Sequence, residues 1–271
     1  MDYDLPKRFE ESNKSTYGRV LNFAGSDYMS GAAYLSSVSA LKIGAGYCFL
    51  SSTDRVIDSV SAKTSCVVFL PYDEAIKKIN QFDVISIGCG LGQSEQSQKI
   101  FNQVIANLSP DKNLVIDADG INLLAHNKEF FIQKGFNKVI LTPHPKEASR
   151  LLDISVDEVL TNTMSSAKKI SEIYKCVTVL KTHKTCVVTN EKSYINSTGN
   201  NAMAKAGSGD VLTGMISGLV AQKMDLYEAS CLAVYLHGQS GDIAKEELTE
   251  YSVLPEDLIS FLPKSIKLYK N

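Results

Sequence analysis

Residues 84–116 read VISIGCGLGQSEQSQKIFNQVIANLSPDKNLVI and carry the clearest signal of the fold. They open on a four-residue apolar run, Val84–Ile87, which is typical of a buried strand. A glycine-rich turn leads into an amphipathic helical pattern over residues 95–108, and a second apolar run follows at residues 114–116. A strand, a helix and a strand in this order form the unit of a parallel sheet covered by helices on both faces.

The same alternation runs through most of the chain, from residue 19 to residue 190. Two apolar runs then flank residues 190–192 and predict an antiparallel hairpin, after which long helical stretches follow. The sequence therefore predicts an α/β fold with a mostly parallel central sheet and a hairpin near its C-terminal side. The predicted strands are residues 19–24, 47–50, 66–70, 84–87, 114–116, 139–141, 177–180, 185–189 and 193–195, and the predicted helices are 31–42, 73–81, 95–108, 145–152, 209–222, 226–246 and a final short one from near Pro255.

The composition indicates one globular domain. The chain has 271 residues, of which 44% are hydrophobic and 21% charged, with a net charge of −2. A chain of this length can bury about three quarters of its unfolded surface, and no linker-like segment divides it. We therefore expect a single domain over residues 1–271. The even charge balance without a long basic run argues against a nucleic-acid partner.

The termini and the cysteines indicate the compartment. The N-terminus has no apolar core of a signal peptide and no run of eighteen apolar residues occurs, so we expect a cytoplasmic protein that does not span a membrane. The six cysteines form no Cys-x-x-Cys pair and mostly lie in apolar runs such as residues 66–69. Buried, reduced thiols explain this pattern better than disulfides or a zinc site.

Residues 206–214, AGSGDVLTG, place a turn of small residues at the start of an apolar helix. The free N–H groups of such a helix end bind phosphate, and glycine lets the phosphate come close. Asp210 lies in this first turn. It either complements the helix dipole or acts as a general base that takes a proton from a hydroxyl attacking phosphorus.

Further polar segments follow other predicted strands, where ligands bind in open parallel sheets. The turn at residues 88–92 matches neither the dinucleotide fingerprint nor the P-loop. Asp117 and Asp119 could hold Mg²⁺ through water or orient a ribose, but Asp119 could equally be the N-cap of a helix that begins near Ile121.

Two of the four histidines lie in such segments. His144 stands between Pro143 and Pro145, which fix its loop, while residues 181–185 join two strands and either clamp phosphates or form a solvated loop. His126 and His237 lie in helical surroundings and are interpreted as ordinary surface or core residues.

Taken together and in this order, these segments resemble the ribokinase-like NAD(P)H-hydrate dehydratase family from about Lys14 to Leu262. The Gly-Ser-Gly-Asp turn occurs in many ribokinase-like kinases. The Thr-Pro-His-Pro segment together with Gly199-Asn200 and Met203-Ala204 is more specific to the dehydratases. The other matching segments are residues 14–18, 25–27, 30–33, 41–46, 87–92, 117–119 and 180–181.

The resemblance implies an activity. The enzyme would dehydrate the (6S) hydrates of NADH and NADPH by transferring a phosphoryl group from ADP or ATP, accompanied by Mg²⁺, to the ring hydroxyl, after which phosphate leaves. The metal ligands are left unassigned. The resemblance also implies a homotetramer and, because no epimerase domain precedes this one, epimerisation by another protein.

The resemblance assigns roles position by position. Asp210 would be the base, beside an anion hole formed by the amides of Gly207, Ser208 and Gly209. The hydrated dinucleotide would contact Ala32 or Ala33, Gly90, His144 and Asp210, and the adenine nucleotide would contact Lys181, Thr182, His183, Lys184, Thr185 and Gly209. Cys89 departs from the family pattern, since proline is frequent at its position.

Two alternatives stay open on the residues alone. A kinase for a small molecule such as a vitamin alcohol would use the same base and anion hole, because phosphoryl transfer is the shared step. A nucleotide-binding protein without catalysis would not need the carboxylate of Asp210.

Overall fold

A computed structural model describes residues 3–270. Among them, nine strands form one sheet in the order β3-β2-β1-β4-β5-β6-β7-β8-β9. Neighbouring strands are parallel from β3 to β7, and β8 and β9 continue the sheet antiparallel. The strands are β1 (Arg19–Phe23), β2 (Tyr47–Ser51), β3 (Val68–Phe69), β4 (Val84–Ile87), β5 (Asn113–Ile116), β6 (Val139–Leu141), β7 (Val177–Leu180), β8 (Cys186–Val188) and β9 (Ser193–Ile195).

Helices cover both faces of this sheet. Successive strand residues point to opposite faces. Val84 packs with the core on the side of α10 and α11, whereas Ile85 packs with the core on the side of α4 and α5. The helices are α1 (Ser30–Lys42), α2 (Asp54–Ser61), α3 (Tyr72–Lys78), α4 (Glu95–Asn107), α5 (Asp119–His126), α6 (Lys128–Lys134), α7 (Pro145–Leu152), α8 (Val156–Thr161), α9 (Thr163–Tyr174), α10 (Ser208–Ala221), α11 (Leu226–Leu248) and α12 (Pro255–Lys270), and 3₁₀ turns cover Lys14–Tyr17, Ile79–Gln81 and Asn201–Met203.

The predicted fold class is confirmed, and the elements differ from the prediction in a few places. Helices α2, α6 and α8, each of eight residues or fewer, were not predicted. Helix α9 was also not predicted, because it buries serines as well as apolar residues. The final helix is longer than predicted: α12 continues through Pro263.

The cysteine prediction needs one correction. Five of the six cysteines are buried, but Cys66 is exposed, because it precedes the short strand β3 at the edge of the sheet instead of lying within it. The predicted strand over residues 66–70 shrinks accordingly to Val68–Phe69.

Helix α10 is the central helix of one face, and all its residues from Val211 to Ala221 are buried. It approaches α1 closely through glycine. A Cβ atom at Gly214 would lie 2.0 Å from Ser39 Oγ and 2.1 Å from the Ser36 carbonyl oxygen, so only glycine permits this contact.

Among the residues described, no helix combines the length and the apolar character that a membrane crossing requires.

The α1–α10 contact yields a stability prediction. Gly214→Ala should lower the free energy of unfolding by about 1–3 kcal/mol, because the added methyl group pushes the two helices apart. Gly31→Ala is the matched control, since it is also in a helix but a Cβ there meets nothing within 4 Å. The control should be neutral or stabilising by up to about 1 kcal/mol. Urea unfolding measures both, and equal stability of the two variants would contradict the packing described.

Candidate active site

The carboxyl ends of the parallel strands β4 and β5 and the N-terminus of α10 meet at one edge of the sheet. Cys89 follows β4, Asp117 follows β5, and Asp210 lies in the first turn of α10. The Cys89 sulfur and one carboxylate oxygen from each aspartate all lie within 4.8 Å of one another. The topology thus gathers residues that are far apart in the chain, as expected for the ligand-binding edge of such a sheet.

Asp117 is the buried anchor of this edge, with only 1% of its surface exposed. Lys181 Nζ donates to its Oδ1 at 2.5 Å, and Thr213 Oγ1 donates to its Oδ2 at 2.6 Å. Burial alone would raise the pKa of Asp117, but the Lys181 ammonium and the hydrogen bonds from Lys181, Thr142 and Thr213 lower it below its usual value. Asp117 is therefore a paired carboxylate. Both of its oxygens are engaged.

The backbone around Asp117 is tightly constrained. Ala118 has φ 48° and ψ −119°, a strained conformation for a residue with a side chain. A Cβ atom at Gly88, whose φ is 127°, would lie 1.9 Å from the Asp117 carbonyl oxygen. The glycine turn after β4 and the acidic turn after β5 are therefore packed backbone to backbone.

Asp119 holds the glycine turn in place. Its Oδ2 accepts the Gly92 N–H at 2.8 Å and its Oδ1 accepts a hydrogen bond from Gln93 at 3.2 Å. Helix α5 begins at Asp119 itself and has Ala118 at the N-cap position, so the N-cap interpretation of Asp119 was wrong. Both carboxylate oxygens of Asp117 and of Asp119 accept hydrogen bonds from protein donors, so a Mg²⁺ ion held by this pair would share these oxygens with those donors.

The N-terminus of α10 offers free amides. Gly207 has φ 103°, which turns the chain into the helix. Within residues 3–270, the N–H groups of Gly207, Gly209 and Asp210 have no hydrogen-bond acceptor, while the Ser208 N–H donates to the Lys205 carbonyl at 3.3 Å. The free donors and the helix dipole make this end suitable for an anion.

Gly209 leaves room for a cation at the N-terminus of α10. A Cβ atom at Gly209 would come 3.3 Å from Lys181 Nζ, so glycine leaves room for the ammonium beside the free amides. The Lys181 ammonium stays charged: burial would lower its pKa, but Asp117 and Glu147 raise it above its usual value. Positive charge and amide donors thus converge at one point.

Asp210 is a carboxylate whose pKa lies well above that of an exposed aspartate. Burial, with the nearby charge of Asp117, raises its pKa to about 6, while Cys89 and Lys181 act in the opposite direction. A carboxylate with such a pKa is ionised at neutral pH and is a stronger base than an exposed aspartate.

His144 is fixed at the start of α7. Its Nδ1 accepts the N–H groups of Lys146 and Glu147 at 3.1 and 3.2 Å, and its Nε2 lies 3.1 Å from Glu147 Oε1. Since Nδ1 accepts, the proton of the neutral ring is on Nε2. Burial and the Lys181 charge lower the pKa of His144, so the ring is neutral and rigid.

Glu147 was missed by the sequence reasoning. It is buried, and its Oε2 accepts the His144 N–H at 2.8 Å, which completes a capping box. Burial raises its pKa to about 7. The signal was available, because glutamate three residues after an N-cap is the pattern of a capping box.

The other predicted site residues divide into exposed and buried positions. Gly90 adopts φ 62° and is buried against Ala32, which is itself half-buried. Ala33 is fully buried and has no surface for a ligand. His183 and Lys184 are exposed on the loop that joins β7 to β8, and Thr182 and Thr185 are half-buried there.

The remaining histidine in a helix next to the site is structural. His237 Nε2 lies 3.0 Å from the Ser208 carbonyl oxygen, and burial lowers the pKa of the imidazole to about 4. This neutral ring supports the start of α10 from α11, as its interpretation as a core residue implied.

A family model described as NAD(P)H-hydrate dehydratase matches residues 20–264. The chain belongs to this family. The ADP-dependent (S)-NAD(P)H-hydrate dehydratase of Neisseria meningitidis serogroup B is 34% identical over 241 residues, 88% of this chain and 81% of that protein. The bifunctional NAD(P)H-hydrate repair enzyme of Coxiella burnetii is 36% identical over 262 residues, and the chain spans only 52% of its length.

A solved structure of the same family is also similar. The ADP/ATP-dependent NAD(P)H-hydrate dehydratase from Bacillus subtilis, co-crystallised with ATP/Mg²⁺, superposes with a TM-score of 0.84 at 30% identity. The comparison covers 98% of this chain and 94% of that one. The ribokinase-like fold that the resemblance implied is thereby confirmed.

The buried ion pair yields a second prediction. Lys181→Met leaves the Asp117 carboxylate buried without its partner, and should lower the free energy of unfolding at neutral pH by about 3–5 kcal/mol. Without the ammonium, burial raises the pKa of Asp117 above its unfolded value, so the loss should shrink as the pH falls and the carboxyl takes up a proton. Denaturant unfolding at several pH values measures this.

Two control variants accompany this test. Lys184→Met removes an exposed lysine of the same loop and should change stability by less than about 0.5 kcal/mol. Asp117→Asn combined with Lys181→Met removes both charges and should recover most of the loss. Wild-type stability of Lys181→Met at neutral pH would show that the pair does not exist in the folded protein.

Proposed function

We propose that this protein dehydrates the hydrated forms of NADH and NADPH in a reaction that consumes the phosphoryl group of ADP or ATP. The observation that carries the proposal is the Asp210 carboxylate, which lies beside free amide groups and the Lys181 ammonium at the start of α10. Such a constellation suits phosphoryl transfer, which depends on positioning and on donors facing the developing charge. The names of the family and of its relatives supply the substrate.

The reaction would proceed in two stages. Asp210 takes the proton of the (6S) ring hydroxyl while the hydroxyl oxygen attacks the terminal phosphorus of the nucleotide. The bond between that phosphorus and the bridging oxygen of the nucleotide breaks. The phosphate then leaves C6 with the electrons of the C–O bond while the ring nitrogen donates its lone pair. The departing phosphate takes up the proton lost from C5, which restores the C5–C6 double bond. Phosphate is a far better leaving group than hydroxide, which is the reason to consume a nucleotide.

The residues of the chain would bind the dinucleotide, the migrating phosphate and the adenine nucleotide, and one of them would be the base. We assign the hydrated dinucleotide to Ala32, Gly90, His144 and Asp210, with the neutral His144 ring as a rigid contact and not a proton donor. We assign the migrating phosphate to the amides of Gly207, Gly209 and Asp210, with the Ser208 amide less available. The adenine nucleotide is assigned to Gly209 and to the loop of Lys181, Thr182, His183, Lys184 and Thr185.

Mg²⁺ would enter with the nucleotide. The carboxylates of Asp117 and Asp119 are engaged by protein donors, and the Cys89 thiol is a poor ligand for a hard cation. We therefore propose that Mg²⁺ binds the nucleotide's phosphates, and we derive no step through it.

The phosphoryl donor, the compartment and the assembly are also proposals. The relatives' names favour ADP as the donor, although the Bacillus subtilis enzyme was co-crystallised with ATP. We propose a single domain over residues 1–271 that acts in the cytoplasm as a homotetramer. Size-exclusion chromatography with light scattering tests the assembly.

The role of Asp210 yields the third prediction. Asp210→Asn keeps the shape of the side chain but cannot accept the hydroxyl proton, so turnover should fall by about 10²–10⁴-fold. Binding of adenine nucleotide should survive, since it relies on the amides. Recovery of NADH absorbance from hydrated NADH with ADP or ATP, and calorimetry of ADP binding, measure the two properties.

The contrary outcomes of this test are distinct. Undiminished turnover in Asp210→Asn would remove the proposed base. A stable phosphorylated product from a small alcohol, with no recovery of NADH by the wild-type enzyme, would favour a kinase of the same fold.

The pKa of Asp210 yields the fourth prediction. The base works only when ionised, so kcat/KM should fall as the pH falls through about 6, the pKa of the buried carboxyl. The fall occurs on the acid side because the protonated carboxyl cannot accept a proton. A pH profile that stays flat from neutral pH down through this range would contradict the assignment.

A further inference from the structure

The hydroxyl of Thr213 forms its hydrogen bond outside its own helix, α10. A serine or threonine inside a helix often donates to the carbonyl of the residue four positions earlier, as Ser217 and Ser230 do at 2.8 and 2.7 Å. Thr213 Oγ1 instead donates to Asp117 Oδ2 at 2.6 Å. A hydroxyl has one proton, so this bond replaces the usual bond within the helix.

Both partners of this bond are withdrawn from water. Thr213 has no exposed surface, and Asp117 has only 1% of its surface exposed. In spite of this burial the pKa of Asp117 lies below its usual value, because Lys181 and the hydrogen-bond donors around the carboxylate stabilise the anion. Thr213 therefore donates to a charged oxygen, and such a bond is stronger than one between neutral groups.

The oxygen that accepts from Thr213 lies beside the first turn of α10. Asp117 Oδ2 is 3.9 Å from the place that a Cβ atom at Gly209 would occupy. Within residues 3–270, the N–H groups of Gly209 and Asp210 have no acceptor. Aspartate oxygens at helix N-termini commonly accept such N–H groups. Here the nearby carboxylate oxygen accepts from Thr213 instead.

We propose that Thr213 is a positioning residue: it holds the Asp117 carboxylate off the start of α10 and so keeps the amides of Gly209 and Asp210 open to the terminal phosphate of an adenine nucleotide. The inference rests on the proposed function, because that function places the phosphate at these amides. A carboxylate and a phosphate would otherwise compete for the same donors and the same helix dipole. Lys181 holds the other oxygen, Oδ1, so the two donors together fix the whole carboxylate.

Binding of ADP, measured by calorimetry, tests this role. Thr213→Val keeps the shape of the side chain without the hydroxyl and should raise the Kd for ADP by about tenfold, because the phosphate must then displace a charged hydrogen bond. Thr213→Ser retains the hydroxyl and should bind ADP as the wild type does. Ser217→Ala is the matched control, since it removes another fully buried hydroxyl from α10 and should leave the Kd unchanged.

The kinetic constants separate this role from a general loss of structure. In Thr213→Val the KM for ADP should rise by the same factor, whereas kcat at saturating ADP should stay close to that of the wild type, because bound phosphate restores the open arrangement. Thr213→Ala also removes the hydroxyl, adds no methyl group in its place, and replaces the valine variant if that variant does not fold.

The amide proton resonances of the ligand-free protein report the competition directly. Those of Gly209 and Asp210 should lie further downfield in Thr213→Val than in the wild type, because the Asp117 carboxylate then accepts from them. Amide resonances equal to those of the wild type, or an unchanged Kd for ADP in the valine and alanine variants, would overturn the proposal.

The failure of this inference differs from that of the proposed function. If the wild type binds ADP and restores NADH from its hydrate, but Thr213→Val binds ADP equally well, only the role of Thr213 is wrong. If the wild type does not bind ADP, the phosphate site itself is wrongly placed and both proposals fall.

Discussion

The structure depends on the ion pair between Asp117 and Lys181, which is buried at the carboxyl ends of β5 and β7. An isolated charge at this depth would cost several kcal/mol, so neither residue is tolerable without the other. Their pairing joins the end of β5 to the end of β7, the strand after which the sheet becomes antiparallel. It also draws a cation to the N-terminus of α10, where the amides of Gly209 and Asp210 are free.

The pairing of Asp117 also explains why Asp210 can act as a base. Two carboxylates lie within reach of each other, but one is neutralised by an ammonium and the other is not. Burial and the nearby charge of Asp117 raise the pKa of the unpaired carboxyl, that of Asp210, to about 6. Environment thus gives two aspartates of the same chemical type different properties: Asp117 is held as a paired carboxylate, whereas Asp210 is the candidate base.

The sequence alone was sufficient for the fold class and for the small-residue turn at which α10 begins. Apolar runs of strand length between helical patterns indicated the parallel sheet, because buried strands need no alternation. The small-residue turn before residue 210 predicted a helix N-terminus with free amides, which the structure has. Both signals are local, so they can be detected without knowing which segments meet.

The side-chain contacts within the site could not be predicted, because they join residues that are far apart in the sequence. Nothing near Asp117 in the chain indicates that its oxygens accept hydrogen bonds from Lys181 and Thr213, which lie 64 and 96 residues further along the chain. The burial of Ala33 and the role of Asp119 as a clamp on the glycine turn likewise depend on neighbouring elements. Glu147 was the exception, since its capping pattern with His144 is local.

The fate of the substrate's hydroxyl oxygen tests the central claim most directly. Hydrated NADH carrying heavy oxygen in its ring hydroxyl is converted with ADP or ATP, and mass spectrometry follows the label. Phosphoryl transfer to that hydroxyl, followed by departure of phosphate, places the heavy oxygen in inorganic phosphate. Heavy oxygen released as water would mean that the hydroxyl is never phosphorylated, and the arrangement around Asp210 would then need another explanation.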